Sequence, residues 1–208
     1  MHDYWIEFLQ VAAAHLLAVA SPGPDFAMVL RQSIGYGRRT GVWTAIGVGC
    51  GIFIHVSYSL LGIALLIKGS ELWFTVLKYV GATYIGWIGI QSLLAKPRAL
   101  TAANALGTTA PRQSAAFRTG FLTNALNPKA TLFFIALFAT VISPVTPTVF
   151  KVGYGLWMVA ATMAWFCLVA TVFTGSRVRQ KFARYGHWVS RALGIVLLGF
   201  AIGLLYAG

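Results

Sequence analysis

Two proline-containing segments place charged and amide side chains inside stretches of sequence that are otherwise apolar. They are Ser21-Pro22-Gly23-Pro24-Asp25 and Asn124-Ala125-Leu126-Asn127-Pro128-Lys129. When Pro24 is aligned with Pro128, the segments lie 104 residues apart, which is half of the 208-residue chain, and Asp25 is matched with Lys129. Asp25 suits an ammonium group and Lys129 suits a carboxylate. Together the two segments could bind a zwitterion, and a free amino acid is one.

The residues around the prolines indicate that each segment interrupts a helix. Proline fits the first turn of a helix, where its missing N–H would have no partner in any case. Asn127 is a good N-cap for a helix that restarts at Pro128, and Asp25 lies in the first turn of the other helix, where the dipole favours an acid. Lipid cannot satisfy the backbone groups that such breaks free. We therefore predict that residues 21–24 and 124–128 are non-helical or kinked and approach each other.

The substrate-binding residues are predicted to surround these breaks. Asn124, Asn127 and Thr131 share a polar face at i, i+3 and i+7, which favours a position along a cavity. Free N–H groups at the start of a helix also suit a carboxylate. The predicted substrate-binding set is Pro22, Gly23, Pro24, Asp25, His55, Asn124, Asn127, Pro128, Lys129 and Thr131.

His55 belongs to this set because of the face on which it lies. Gly47, Gly51, His55 and Ser59 recur every four residues, so the glycines would allow a broken helix to approach and would place His55 beside the cavity. The ordinary pKa of histidine lies near neutrality, and the candidates for a proton-coupling site are Asp25 and His55. A hydrogen-bonded structural histidine explains His55 equally well, and Asp25 could belong to a purely structural ion pair.

The composition predicts a membrane protein. The chain is 58% hydrophobic and 10% charged, whereas soluble domains average about 25% charged residues, and its mean hydropathy is +0.76. About 20 apolar residues cross a bilayer. Stretches of that length recur at roughly 7–34, 41–67, 72–95, 117–142, 148–174 and 190–207. We predict an all-α integral membrane protein with six transmembrane helices, of which the first and fourth are broken.

The basic residues predict the orientation of these spans. Twelve of the 16 lie on one side of a six-span arrangement: Arg31, Arg38, Arg39, Lys96, Arg98, Arg112, Arg118, Arg177, Arg179, Lys181, Arg184 and Arg191. The positive-inside rule then places both termini outside the cytoplasm. Binding to anionic lipid headgroups explains the net charge of +12 better than binding to nucleic acid. Because Asp3 and Glu7 precede any basic residue, the N-terminus does not fit a cleaved signal peptide.

Three spans in each half predict an inverted repeat with a two-fold axis in the membrane plane. The chain would be a single transmembrane domain, 1–208, with pseudo-repeat halves of about 1–104 and 105–208. Interrupted segments at matching places in two halves indicate the binding site of a secondary transporter.

The quoted residues resemble the LysE/RhtB superfamily of bacterial amino-acid exporters. The resemblance rests on the two proline segments, on Gly41, Gly47 and Gly51, on the run from Leu77 to Tyr84, and on Gly120. Within this superfamily, the sequence is most similar to the homoserine/threonine efflux branch. The resemblance implies an inner-membrane exporter of small neutral amino acids that is driven by the proton motive force and uses no ATP, cofactor or metal. The implied partners are the amino acid, protons and membrane lipids, and a homodimer is compatible with it.

Two other transport functions are alternatives. A thiol relay of the CcdA type uses one cysteine in each broken helix, but Cys50 and Cys167 lie in the second and fifth spans. A cation exporter of the same superfamily would need more acidic, cysteine or histidine side chains in the core than Asp25 and His55. No HExxH, GxSxG or phosphate-binding glycine motif occurs in the sequence.

Overall fold

Eight α-helices make up most of the part of the protein that the structure describes. The computed structural model describes residues 4–69, 71–96 and 109–206. The helices are α1 (Tyr4–Ala20), α2 (Pro24–Tyr36), α3 (Arg38–Gly69), α4 (Glu71–Leu93), α5 (Gln113–Ala125), α6 (Pro128–Thr140), α7 (Thr148–Val172) and α8 (Ser176–Tyr206). Asp3, Arg98 and the predicted junction of the two halves lie outside the described residues.

Both predicted breaks are present, and each divides one apolar stretch into two helices. α1 and α2 bend by 53° across residues 21–23, and α5 and α6 bend by 55° across residues 126–127. Pro24 begins α2 and Pro128 begins α6. Proline has no N–H and its φ is fixed, so it starts a helix readily and does not continue one. The breaks are narrower than predicted, because both prolines and Asn124 are helical.

The helices have the length and apolar surface of a multi-pass membrane protein. Arg38–Gly62, Thr148–Val172 and Arg184–Tyr206 are each able to span a bilayer, and the count among the described residues rises to five if each bent pair is one span. The predicted third span corresponds to the 23-residue α4, which is not among these five. Large apolar side chains such as Leu156 and Ile195 face outward, as lipid contact requires.

The last helix begins earlier than the sequence predicted. α8 starts at Ser176, well before the predicted span 190–207, and its first part contains Lys181 and Arg184. Lysine and arginine are good helix formers. The apolar stretch alone therefore marks only the part of α8 that can lie in lipid.

Glycines allow α3 and α5 to pack backbone against backbone. A Cβ on Gly47 would overlap the carbonyl oxygen of Phe117, and a Cβ on Gly120 would overlap that of Thr44. A Cβ on Gly51 would lie 2.6 Å from Oδ1 of Asn124. Small residues permit this close approach between helices in membranes. The predicted glycine face therefore brings α3 directly against the helix that precedes the second break.

Two buried clusters of apolar side chains lie on either side of the first break. The larger cluster includes Ala18 of α1 and Phe134 of α6, and it draws on α3, α4, α7 and α8 as well. The smaller cluster joins Phe26 of α2 to α3 and α7. Because Ala18 and Phe26 flank the break, residues 21–23 are held between two packed cores.

Candidate functional site

The carboxylate of Asp25 is bound by the second break. Its Oδ2 accepts a hydrogen bond from Nδ2 of Asn124 at 3.0 Å and another from Nδ2 of Asn127 at 3.0 Å. These two asparagines lie at the end of α5 and immediately before α6. The other oxygen, Oδ1, is buried and has no hydrogen-bond partner among the described residues. Asp25 thus crosses from one broken helix to the other and keeps one oxygen available to a ligand.

Lys129 forms the reciprocal contact with the first break. Its Nζ donates to the backbone carbonyl oxygen of Ser21 at 3.2 Å. In an unbroken helix this carbonyl would accept the N–H of residue 25. The positive charge of Lys129 also acts on the carboxylate of Asp25. The opposite charges at matched positions are therefore brought together, as the sequence predicted.

Asn127 joins the two charged segments. While its Nδ2 donates to Asp25, its Oδ1 accepts the backbone N–H of Lys129 at 3.0 Å. It is therefore the N-cap of α6, as predicted. Its backbone oxygen accepts from the N–H of Thr131 at 2.9 Å and from the hydroxyl of Thr131 at 3.2 Å. One amide side chain thus fixes both the start of α6 and the position of the carboxylate.

His55 of α3 is hydrogen-bonded to the backbone of the second break. Its Nε2 lies 2.9 Å from the carbonyl oxygen of Asn124, and its Nδ1 lies 2.7 Å from the hydroxyl of Tyr58. That hydroxyl donates to the carbonyl oxygen of Thr131 at 3.2 Å. Pro128 has no N–H to offer the Asn124 carbonyl, which accepts the N–H of Asn127 at 2.8 Å, and His55 supplies the second donor in place of Pro128. Both ring nitrogens of His55 are occupied by groups of the protein.

A large cavity of about 660 Å³ reaches the breaks from one end of the molecule. Its inner wall contains Pro22, Pro24 and Pro128. Its outer wall is formed by the carboxyl end of α4, including Lys96, and by the first half of α8, including His187. These wall residues lie at the end that carries the predicted cytoplasmic basic residues. The breaks are therefore accessible from that side.

A small cavity of about 40 Å³ lies on the other side of the break residues. It has room for only a few water molecules. Asp25, Asn124 and Asn127 line it, and Ser21, Gly23 and Lys129 line both cavities. The Lys129–Ser21 contact is therefore part of the wall between the large cavity and the buried carboxylate of Asp25.

The predicted site residues fall into four groups by position. The prolines at positions 22, 24 and 128 line the large cavity, Asp25, Asn124 and Asn127 line the small one, and Gly23 and Lys129 line both. Thr131 and His55 line neither of these two cavities. Both are hydrogen-bonded to the second break, and their part in substrate binding stays a prediction.

Sequence reasoning missed a buried carboxylate at the far end of α1. Glu7 is 4% exposed and accepts hydrogen bonds from the N–H of Ser143 at 2.9 Å and from the hydroxyl of Thr146 at 2.9 Å. At about 1.5 Å per residue, Glu7 and Ser21 are separated by roughly 21 Å along the helix. An acid within an apolar helix was the available signal. Glu7 therefore ties the start of α1 to the segment between α6 and α7.

Among the described residues, the side chains that a cation exporter or a thiol relay would need do not form a site. No group of three or more His, Cys, Asp or Glu side chains lies close enough to hold a metal ion within residues 4–69, 71–96 and 109–206. Cys50 in α3 and Cys167 in α7 are both free thiols, and neither lies in a break.

Comparisons with known proteins identify relatives of this chain. The family described as LysE type translocator matches residues 16–208. The Threonine efflux protein of Escherichia coli (strain K12) is 30% identical over 203 residues, covering 95% of this chain and 97% of that protein. The Threonine efflux protein of Salmonella typhi is 29% identical over 199 residues, covering 95% of this chain and 97% of its own.

A further relative carries a different substrate name. The Leucine efflux protein of Salmonella choleraesuis (strain SC-B67) is 29% identical over 212 residues, covering 97% of this chain and 94% of that protein. No solved structure matches the chain. The matches extend through both breaks and through α7 and α8.

Proposed function

The chain belongs to the LysE-type translocator family, and from that membership we propose that it exports small neutral amino acids, similar to threonine or homoserine, from the cytoplasm. Members of this family are membrane transporters and not enzymes. The names of the relatives support an amino-acid substrate, and the narrower choice of threonine-like substrates rests on the threonine efflux proteins.

The contact between the two breaks is the observation that carries this proposal. A free amino acid has an ammonium group, which suits the unpartnered Oδ1 of Asp25, and a carboxylate, which suits Lys129 and the start of α6. The protein groups that now bind each other across the breaks have the charges that a zwitterion would satisfy. Substrate binding can therefore replace contacts between the breaks without leaving either charge buried and unpaired.

The cavities support a route for the substrate. An amino acid enters the large cavity from the cytoplasmic side and reaches the wall formed by Ser21, Gly23 and Lys129. Its carboxylate then competes with the Ser21 carbonyl for the ammonium group of Lys129. When Lys129 turns towards the substrate, the large and small cavities join and Asp25 becomes accessible.

The helix arrangement supports six spans in a 3+3 inverted repeat within one domain, residues 1–208. α2 and α6 have 13 residues each, and the breaks before them bend by 53° and 55°. α3 packs against α7, and α4 packs against α8. Each is the pair that a two-fold axis would bring together. With the basic residues in the cytoplasm, both termini lie outside it, at the bacterial inner membrane.

Export against a gradient requires a driving force, for which we propose the proton motive force. Asp25 is the first candidate for the coupling site because it lies between the breaks and is titratable. His55 is the second candidate, although its ring nitrogens bond to Asn124 and Tyr58. The proposed partners are therefore the amino acid, protons and membrane lipids.

Counterflow in liposomes tests the proposed function directly. Liposomes that contain the purified protein and are loaded with unlabelled amino acid should take up labelled threonine or homoserine from outside. Liposomes that contain the Asp25→Asn protein should not. A variant with Cys50→Ser and Cys167→Ser should keep this activity, whereas a thiol relay would lose its function. If no amino acid in a panel of neutral, acidic and basic types shows counterflow, the proposal is wrong.

A further inference from the structure

A second polar pair lines the small cavity away from the two breaks. His15 of α1 and Thr162 of α7 are joined by a hydrogen bond between Nε2 and Oγ1 at 3.0 Å. All the other polar residues that line this cavity within the described part of the chain belong to the breaks. The remaining wall is apolar and includes Phe133 and Phe166. The pair therefore gives the small cavity polar groups in addition to those that bind the charges of Asp25 and Lys129.

The ring of His15 has one nitrogen that the protein leaves available. His15 is 0% exposed, and its Nδ1 has no hydrogen-bond partner among the residues that the structure describes. Besides Thr162, the other polar group that acts on the ring is the backbone of Met158, one turn earlier on α7. The edges of Phe134 and Trp157 hold the ring, with centroids 5.8 and 5.9 Å away. Buried polar atoms nearly always have partners. A rigidly held nitrogen without one, on a residue that lines a cavity, indicates contact with a ligand.

The second buried histidine provides an internal comparison. His55 is also 0% exposed, but both of its ring nitrogens bond to protein groups and it lines neither cavity. Its hydrogen bonds explain its burial completely. The hydrogen bonds of His15 do not explain its burial in this way. The two histidines therefore have different roles, although both lie in apolar helices.

Resting on the proposed function, we propose that His15 binds the side-chain hydroxyl of the transported amino acid and thereby selects substrates with a short hydroxylated side chain. Asp25 suits the substrate ammonium and Lys129 suits its carboxylate, so a third polar group on the substrate needs another partner. A hydroxyl both donates and accepts, and it matches Nδ1 in either tautomer of the ring. An ammonium or a carboxylate would each match only one tautomer. Thr162 orients the ring through Nε2 and is a positioning residue.

The apolar walls restrict the length of the substrate side chain. Ala18, Phe133 and Phe166 line the cavity beside His15 and Thr162. A site that is built to bond a hydroxyl strongly disfavours an analogue without it, because the buried polar group is then left unpaired. Threonine and valine are the matched pair, since a methyl group in valine replaces the hydroxyl of threonine at nearly the same shape.

Competition between these two substrates tests the assignment. The full chain in liposomes should show half-saturation of counterflow at a concentration at least about tenfold lower for threonine than for valine. His15→Leu should remove this preference while valine counterflow continues. Thr162→Val, which keeps the shape of the side chain, should reduce the preference. Thr171→Val is the control and should leave the preference unchanged, because the Thr171 hydroxyl bonds the backbone carbonyl of Leu168 on the same helix.

Each result supports or contradicts the proposal that His15 binds the substrate hydroxyl. Continued valine counterflow shows that His15→Leu protein is folded, and an unchanged threonine preference in that protein overturns the assignment. If the leucine variant does not fold, an unchanged preference in Thr162→Val overturns it instead. Equal use of threonine and valine by the unmodified protein also overturns it and leaves the proposed function intact. Failure of every amino acid to exchange contradicts the proposed function itself.

Discussion

Asp25 and Lys129 each bond to the broken segment that contains the other. Oδ2 of Asp25 accepts from the amide groups of Asn124 and Asn127, and Nζ of Lys129 donates to the carbonyl oxygen of Ser21. The two residues also hold the same place in their half-helices, one position after the proline. The breaks are therefore joined crosswise by the groups that would have to release each other to admit a zwitterion.

Removal of either charge should abolish export at substrate concentrations well below the half-saturation of the variant. Hydrogen bonds to charged groups contribute about 1.5–3 kcal/mol, so we expect Asp25→Asn and Lys129→Met each to weaken substrate binding by about 10- to 100-fold. Counterflow in liposomes, corrected for the amount of protein, measures the effect. Arg118→Gln is the control, because this exposed arginine lies on α5 outside both cavities.

The double variant separates a substrate role from a structural one. Neutralising both charges removes the cost of an unpaired charge in the membrane, so Asp25→Asn with Lys129→Met should insert and fold. It should remain inactive because it has no counter-charges for the substrate. Recovery of transport by the double variant would mean that the pair serves only to stabilise the structure.

The contact between α3 and α5 should tolerate no side chain at Gly47. An added Cβ would overlap the carbonyl oxygen of Phe117 and would lie 2.8 Å from the backbone nitrogen of Phe121. Backbone atoms cannot turn aside, so we expect Gly47→Ala to lower the free energy of unfolding by about 1–3 kcal/mol or more. Gly62→Ala on the same helix is the control, since nothing lies within 4 Å of its Cβ. Thermal unfolding in detergent that ranks the two variants equally would contradict this packing.

Glu7 should contribute to stability and not to substrate binding. The carboxylate accepts from Ser143 and Thr146, so Glu7→Gln should destabilise the protein by about 1–3 kcal/mol in a thermal unfolding experiment. Half-saturation of threonine counterflow should stay unchanged, because the breaks lie at the other end of α1. Gln10→Ala on the exposed face of α1 is the control. A parallel change in half-saturation would show that Glu7 acts on the site.

Local chemistry made the breaks and the N-cap predictable from sequence. Proline cannot continue a helix, and asparagine before proline caps one, so the bends and the role of Asn127 follow from a few neighbouring residues. The matched spacing of Asp25 and Lys129 then suggested that the two segments meet. The exact limits differed because Pro24 and Pro128 are the first residues of α2 and α6, and because Asn124 still lies within α5, which ends at Ala125.

Long-range partners were not predictable in the same way. His15 bonds to Thr162 across 147 positions, and Glu7 bonds to Thr146 across 139. Helical periodicity indicates which residues share a face but not which face of another helix covers them. His55 shows the consequence: its face was predicted correctly, but that face bonds to the Asn124 carbonyl instead of bordering the cavity.

Both termini should lie outside the cytoplasm. A fusion of alkaline phosphatase to Gly208 should be active, because that enzyme folds only outside, and a fusion of green fluorescent protein at the same position should not fluoresce. A fusion after Arg112 provides the opposite control, since the link between α4 and α5 lies on the predicted cytoplasmic side. A fluorescent fusion at Gly208 would contradict the proposed topology.

Proton coupling should depend on Asp25 more than on His55. A proton-driven exporter needs a group that gains and loses a proton as access alternates, and Asp25 lies between the two breaks with one oxygen unpartnered. His55 is held at both ring nitrogens, and a glutamine in its place can still donate to the Asn124 carbonyl. We therefore expect His55→Gln to keep both counterflow, which needs no net proton movement, and gradient-driven export. A His55→Gln protein that keeps counterflow but loses gradient-driven export would assign the coupling role to His55. If uphill export continues when the pH gradient and the membrane potential are both clamped at zero, the protein is not driven by protons, and neither residue has that role.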